Sequence, residues 1–266
     1  MKYLKYGGAL LFAFIVYTFL YLPILVTILF SFNESKIQVL PIKKLTFDWY
    51  RGLFSNTELW VAAKNSLLVS LPATLCAIVF GTLAAYLFQR YRIRGGAFLQ
   101  FLILLPYILP GIIIGTSLNL LFKFLNVDAS LMTVIIGHIT FITPVVMFLV
   151  MDRLKRFDPN LEFASMDLGA SPLRTFLLIT LPNIRGAVLA GALLGLTISF
   201  DEVIVSFFLI GTDNTLPMLI WSMIRHGYSP QINAVYTLIV LFSLGLIAIA
   251  GSRLFAQRNS KAATEE

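Results

Sequence analysis

Asp158-Pro-Asn-Leu-Glu-Phe-Ala-Ser-Met-Asp-Leu-Gly-Ala-Ser-Pro-Leu-Arg-Thr-Phe-Leu-Leu-Ile-Thr-Leu-Pro182 carries two helix starts within 25 residues. Asp158 and Ser171 are good N-cap residues, and each precedes a proline, Pro159 or Pro172, at the first helical position, where a missing N–H costs nothing. Gly169 suits the left-handed residue that ends the first helix, and Pro182 marks the boundary of the second. Two short helices are therefore expected to meet at a sharp corner at Gly169 and Ala170. Phe163, Met166 and Leu168 are apolar on the first of them, while Ala164, Ser165 and Ala170 are small enough for close approach. Such a surface is suited to docking; the alternative is a loop that packs on its own helix ends.

What flanks this segment places it beside a membrane. Before it, residues 129–151 hold no charge, and the same is true of 6–33, 65–89, 95–122 and 226–252, runs of 23 to 28 residues. A hydrocarbon core about 30 Å thick is crossed by about 20 apolar residues in a helix, the form that satisfies every backbone group within one segment. After it, 186–212 is a sixth apolar stretch, interrupted by Asp201 and Glu202. The expected fold is all-α: a polytopic membrane protein of six transmembrane helices, one domain over 1–266, with the polar loop at about 152–182 inside it. The uncharged run that follows Lys2 and Lys5 is about twice the usual signal-peptide core, so it is read as a retained span. Of the 20 Lys and Arg, 13 fall at the N-terminus, 90–94, 152–185 and the tail, which makes both termini cytoplasmic.

Only 12% of residues are charged, against about a quarter in soluble domains, and 58% are apolar. The net charge of +7 is spread without an aromatic-interleaved basic patch, so no nucleic-acid partner is expected. A single cysteine, Cys76, and two isolated histidines, His138 and His226, offer neither a disulfide framework nor ligand spacing for a metal. No G-x-x-x-x-G-K-[ST], GxGxxG or GxSxG sequence occurs, so any energy-driven work draws on another chain and no cofactor is expected in this one.

The spacing Ala164-Ser165, then Gly169, then nine residues to Ile179-Thr-Leu181-Pro182 resembles the EAA loop of ABC importer permeases, E-A-A-x-x-x-G-x₉-I-x-L-P. Counted back from the glycine, that pattern's glutamate falls on Phe163, with Glu162 one residue earlier. Tyr21-Leu-Pro-Ile24, Leu109-Pro-Gly-Ile112, Gly137-His-Ile-Thr-Phe141, Ser165-Met-Asp-Leu-Gly169 and Ser199-Phe-Asp-Glu202 extend the likeness over nearly the whole chain, which looks like the C-type permease subunit of spermidine/putrescine transporters. The resemblance implies a type I importer (MetI-like) fold in a bacterial inner membrane. It makes Glu162, Phe163, Ala164, Ser165, Asp167, Gly169, Ala170, Ile179, Leu181 and Pro182 the loop that couples to a cytoplasmic ATPase dimer, which uses the ATP. It further implies a second permease subunit and an external solute-binding protein as partners, and alternating access as the way polyamine is carried inward.

Asp201 and Glu202 are the acidic residues within an expected span, where a carboxylate normally faces water or a cation. They are candidates for the substrate path, and Trp221, in the short apolar segment Met218–Met223, is expected at the outer interface. The bland reading is a solvated pair at a helix end or a bridge to Lys64, Lys123 or Arg225. Pro106, Pro110, Gly111 and Gly115 are expected to kink the third span, and His138 to hydrogen-bond a neighbouring helix. The rival functions are a secondary transporter, which commonly shows internal repeats not found here, an ABC importer of another small organic solute, and a membrane enzyme, for which one Asp-Glu pair and a lone histidine make no catalytic constellation.

Overall fold

Charge-free runs become helices because lipid leaves a backbone no other partner, and the computed structural model, which describes residues 2–226, 230–241 and 244, follows them closely. Its elements are α1 (Lys2–Phe30), α2 (Asp48–Ser55), α3 (Thr57–Arg90), α4 (Gly96–Ile108), α5 (Gly111–Phe124), α6 (Leu131–Lys155), α7 (Asn160–Asp167), α8 (Pro172–Thr175), α9 (Leu181–Asp201), α10 (Ile204–Leu209) and α11 (Leu216–His226). Among the described residues the one β feature is an isolated antiparallel bridge, Asn33 to Leu45. Four helical segments are long and apolar enough to cross a membrane, and the α4–α5 pair makes a fifth if it counts as one span. The expected sixth span, 226–252, lies partly outside the described residues, which hold a shorter apolar helix over 230–241.

The chain divides into two compact units, one of residues 58–221 and one of 1–57 with 222–266. In the second, Trp49 Nε1 donates to the carbonyl of Asn33 at 2.7 Å and the Tyr50 and Ser31 hydroxyls meet at 2.6 Å, so α2 folds back on the segment after α1. Lys44 pairs with Glu34 at 2.8 Å across the same loop.

Residues 58–221 are organised around α6, which buries Val134, His138, Phe141, Ile142, Val146, Met147, Val150 and Leu154 and packs against α4, α9 and α10. The buried stripe of α3 is built from small residues at helical spacing, Ala62, Ser66, Val69, Ala73, Ala77, Gly81 and Ala85. That is how membrane helices gain contact: without a hydrophobic drive between them, close backbone approach supplies dispersion energy. The opposite face of α3 exposes Leu68, Leu71, Leu75, Val79 and Leu83, an apolar surface of the kind lipid covers.

Two boundaries depart from the sequence reading. The third span is not a kinked helix but two helices turned by 105°. Pro110 lacks an N–H and drives Leu109 into the extended region (φ −70°, ψ 144°), which ends α4; Pro106, inside α4, breaks nothing. Nor does Pro182 end a helix. The residues from Pro172 to Asp201 form one 30-residue span, with a π-helical stretch at Phe176–Thr180 that widens the turn ahead of the proline, which then occupies the first turn of α9. The span therefore begins 14 residues before the expected 186 and stops at Asp201, so the acidic pair sits at its end, the helix-end alternative, and not inside it.

Candidate functional site

The corner is built as its local chemistry requires. Asp158 Oδ1 accepts the Asn160 N–H at 3.0 Å and starts α7; Ser171 Oγ accepts the Arg174 N–H at 3.3 Å and starts α8. Between them the Gly169 N–H donates to the Met166 carbonyl and the Ala170 N–H to the Ser165 carbonyl, the paired bonds of a Schellman ending, with Gly169 at φ +89°. Phe163 is 57% exposed and Leu168 90%, beside a shallow open concavity of about 470 Å³ lined by Leu161, Ala164, Leu168, Gly169, Arg174 and Leu178, among others. Asp167 is exposed, Ser165 and Ala170 are half-buried, and Ser165 Oγ meets Thr175 Oγ1 at 3.1 Å. Ile179 lies in the π stretch and Leu181 packs on the core at the start of α9, with Pro182 exposed next to it.

Glu162 does not join this outer surface. It is 4% exposed, and its two carboxylate oxygens are held by different membrane helices. Thr180 Oγ1 donates to Oε1 at 2.6 Å, and Arg90 Nε, at the end of α3, lies 2.8 Å from Oε2. The Arg90 contact is a meeting of charges set off the N–H axis; the guanidinium also sits over the Phe157 ring, 5.4 Å from its centroid. Arg90, Thr180 and Phe157 escaped the sequence reading because Arg90 was counted only as a topology charge and the other two resemble ordinary core residues.

At the far end of α9 the two acids take different roles. Glu202 is extended (φ −76°, ψ 121°), and its Oε1 accepts the Val205 N–H at 2.9 Å, capping α10. Asp201 is exposed. The segment after α10 is fastened to α3: Asn65 Nδ2 donates to the Asn214 carbonyl at 3.0 Å and the Leu216 N–H to Ser66 Oγ at 2.8 Å. Trp221 lies edge-on to Phe207 at 6.0 Å and is 37% exposed.

His138 bridges the break between α9 and α10, with Nδ1 2.7 Å from Ser199 Oγ and Nε2 3.0 Å from Ser206 Oγ. The Ser206 hydroxyl proton is committed to the Glu202 carbonyl at 3.1 Å, so Ser206 accepts from Nε2–H and Nδ1 accepts from Ser199. The neutral ring thus completes a directed chain from α9 through α6 to the backbone of Glu202. His138→Leu leaves that chain unfilled and is expected to lower stability by about 1–3 kcal/mol, read as the thermal midpoint of the purified chain in detergent; an unchanged midpoint refutes the bridge. Among the described residues no group of three or more His, Cys, Asp or Glu is placed to hold a metal.

Residues 77–261 match the family described as binding-protein-dependent transport system inner membrane component. The chain belongs to that family. The permease is 38% identical over 243 residues to the putrescine transport system permease protein PotI of Escherichia coli (strain K12), covering 88% of this chain and 85% of the relative. It is 36% identical to the spermidine/putrescine transport system permease protein PotC of the same strain, over 94% of both chains. Haemophilus influenzae PotC is 34% identical, over 94% of the permease and 96% of the relative. In fold it is similar to a chain of a bacterial alginate ABC transporter (TM-score 0.72, 18% identity, 94% and 93% of the two chains). It is also similar to a chain of the MetNI methionine ABC transporter (TM-score 0.59, 16% identity, 79% and 97%). Membership makes the permease a multi-pass inner-membrane transport subunit with a MetI-like fold. It implies a solute-binding protein and a separate ATP-using subunit as partners.

Proposed function

We propose that this permease is the C-type subunit of a polyamine importer, one domain over 1–266 with both termini cytoplasmic, paired with a second permease and seated on an ATPase dimer. An external binding protein delivers spermidine or putrescine, ATP is used by the ATPase, and alternating access moves the solute inward. The observation that carries the reading is the corner at Gly169, which presents Phe163, Met166 and Leu168 outward beside a Schellman ending. A secondary transporter has no use for such a surface. The kind of solute rests on the PotI and PotC relatives and on the acid at the end of α9.

The geometry divides the two carboxylates. Glu202 is occupied with capping α10, so Asp201 is the one free to meet a cation in the path. A charge pair about 4 Å apart is worth roughly 4 kcal/mol at an effective dielectric of 20 before desolvation is subtracted, and the fraction left after it still changes transport tens of times over. In proteoliposomes holding the full complex, Asp201→Asn is expected to raise the KM for labelled spermidine at least tenfold, with assembly and basal ATPase unchanged. Glu202→Gln keeps an acceptor for the Val205 N–H and is expected to change KM less. Parental uptake by Asp201→Asn removes Asp201 from the path. Purified permease, reconstituted by itself, that accumulates spermidine without the ATPase defeats the importer reading altogether.

A further inference from the structure

Helix α7 lies at the centre of the coupling loop, yet the one residue it buries is a charged one. Phe163, Met166 and Leu161 are exposed, and Glu162 alone is buried among Asn160–Asp167. Apolar burial therefore does not hold this eight-residue helix in place, and it is joined to the rest of the chain by two tight bends, at 156–159 and 168–171. Ser165 Oγ, 3.1 Å from Thr175 Oγ1, ties α7 to the span that ends at Asp201, and the Glu162 carboxylate adds a grip that reaches both that span and α3. Arg90 closes α3 and Thr180 stands in the π stretch that leads without interruption into α9. Tyr86, one turn before Arg90, packs edge-on against Phe176 at 4.9 Å, so α3 and the π stretch also touch directly.

We propose that Arg90 and Glu162 form a positioning node which locks the coupling loop onto α3 and α9 together. A displacement imposed on α7 is then delivered to both membrane helices and not absorbed in the bends. Glu162 is thereby a partner within the chain and not a contact of the ATPase. Buried ion pairs suit this task, since their desolvation leaves little net stability but their geometry admits one arrangement. The far end of the same α9 holds Asp201, so the node stands at the inner end of a 30-residue continuous span whose outer end borders the candidate path.

The inference rests on the proposed docking of the corner on an ATPase, and the experiment separates the two. Complexes carrying Arg90→Gln, Glu162→Gln, both together, or Arg90→Lys are assembled with the partner subunits in proteoliposomes, and spermidine moved per ATP hydrolysed is measured. Each single neutral variant is expected to assemble and hydrolyse ATP but to move at least tenfold less solute per ATP, with Arg90→Lys recovering at least half of the loss. A parental ratio in both single variants overturns the node. If the single variants fail to assemble because each leaves a buried charge alone, the double variant decides: assembled and uncoupled supports the node, whereas assembled and coupled overturns it. Failure of both the double variant and Arg90→Lys to assemble reduces the pair to a folding prop and also overturns it. A parental complex that hydrolyses ATP but moves neither spermidine nor putrescine fails the substrate reading instead, and the node is then read from stimulation of the ATPase by the loaded binding protein.

Discussion

Gly81→Val is expected to unfold or severely destabilise the isolated chain, by about 3 kcal/mol or more, at the upper end of what overpacking costs. A β-carbon at Gly81 would lie 2.8 Å from the Thr143 carbonyl oxygen, 2.8 Å from Val146 Cβ and 3.0 Å from the Met147 nitrogen. Two of these are backbone atoms of α6, so no rotamer change relieves the clash and α3 must move away from α6 as a body. Val146, Met147, Ala77 and Ala85, all fully buried, lose contacts in that movement. Gly186→Val is the matched control, since a β-carbon there meets nothing within 4 Å. The thermal midpoints of the two purified variants in detergent are compared; equal midpoints would mean that α3 and α6 do not approach as closely as described.

The second large effect is functional and spares the fold. At Gly169 nothing stands within 4 Å of an added β-carbon, but φ is +89°, so Gly169→Val meets strain and not a clash. A residue with a β-carbon pays about 1–2 kcal/mol in the left-handed region, and a β-branched one lies at or above the upper figure. About 2 kcal/mol is roughly a thirtyfold fall in the equilibrium constant that favours the corner with its Gly169 and Ala170 hydrogen bonds. Membrane insertion and thermal midpoint are expected to stay near the parental values while co-purification with the ATPase and ATP-driven uptake fall severalfold, up to that factor. Gly169→Asn, tolerated better at such endings, is expected to fall between the two. Normal yield of ATPase with Gly169→Val would separate the corner from coupling.

The contrast between these two glycines follows how far apart in sequence the deciding atoms lie. The corner was legible because its parts are contiguous: Ser171 caps through a residue three positions on, and Gly169 closes hydrogen bonds no further back than Ser165. The inward turn of Glu162 was not legible, because its partners stand at Arg90 and Thr180, far along the chain on other helices. His138 shows both sides. A lone polar group in an apolar run must find a hydrogen bond on a neighbouring helix, and it does, but Ser199 and Ser206 lie 61 and 68 positions away and were not named by that requirement.

Asp201 and Glu202 divide the two readings open to them. The apolar stretch 186–212 puts them inside a span, but the π stretch carries the helix through Pro182 and the span runs from Pro172 to Asp201, so that the pair falls at its end, the helix-end alternative. Hydropathy and capping are properties of neighbouring residues, and they sufficed for the all-α membrane architecture, for the long spans and for the corner that marks the family. Which acid is exposed and which caps α10, the 105° turn at Pro110, and the grip of two helices on Glu162 were decided by packing. Each depends on what a distant helix offers to a peptide group or a charge that lipid cannot satisfy.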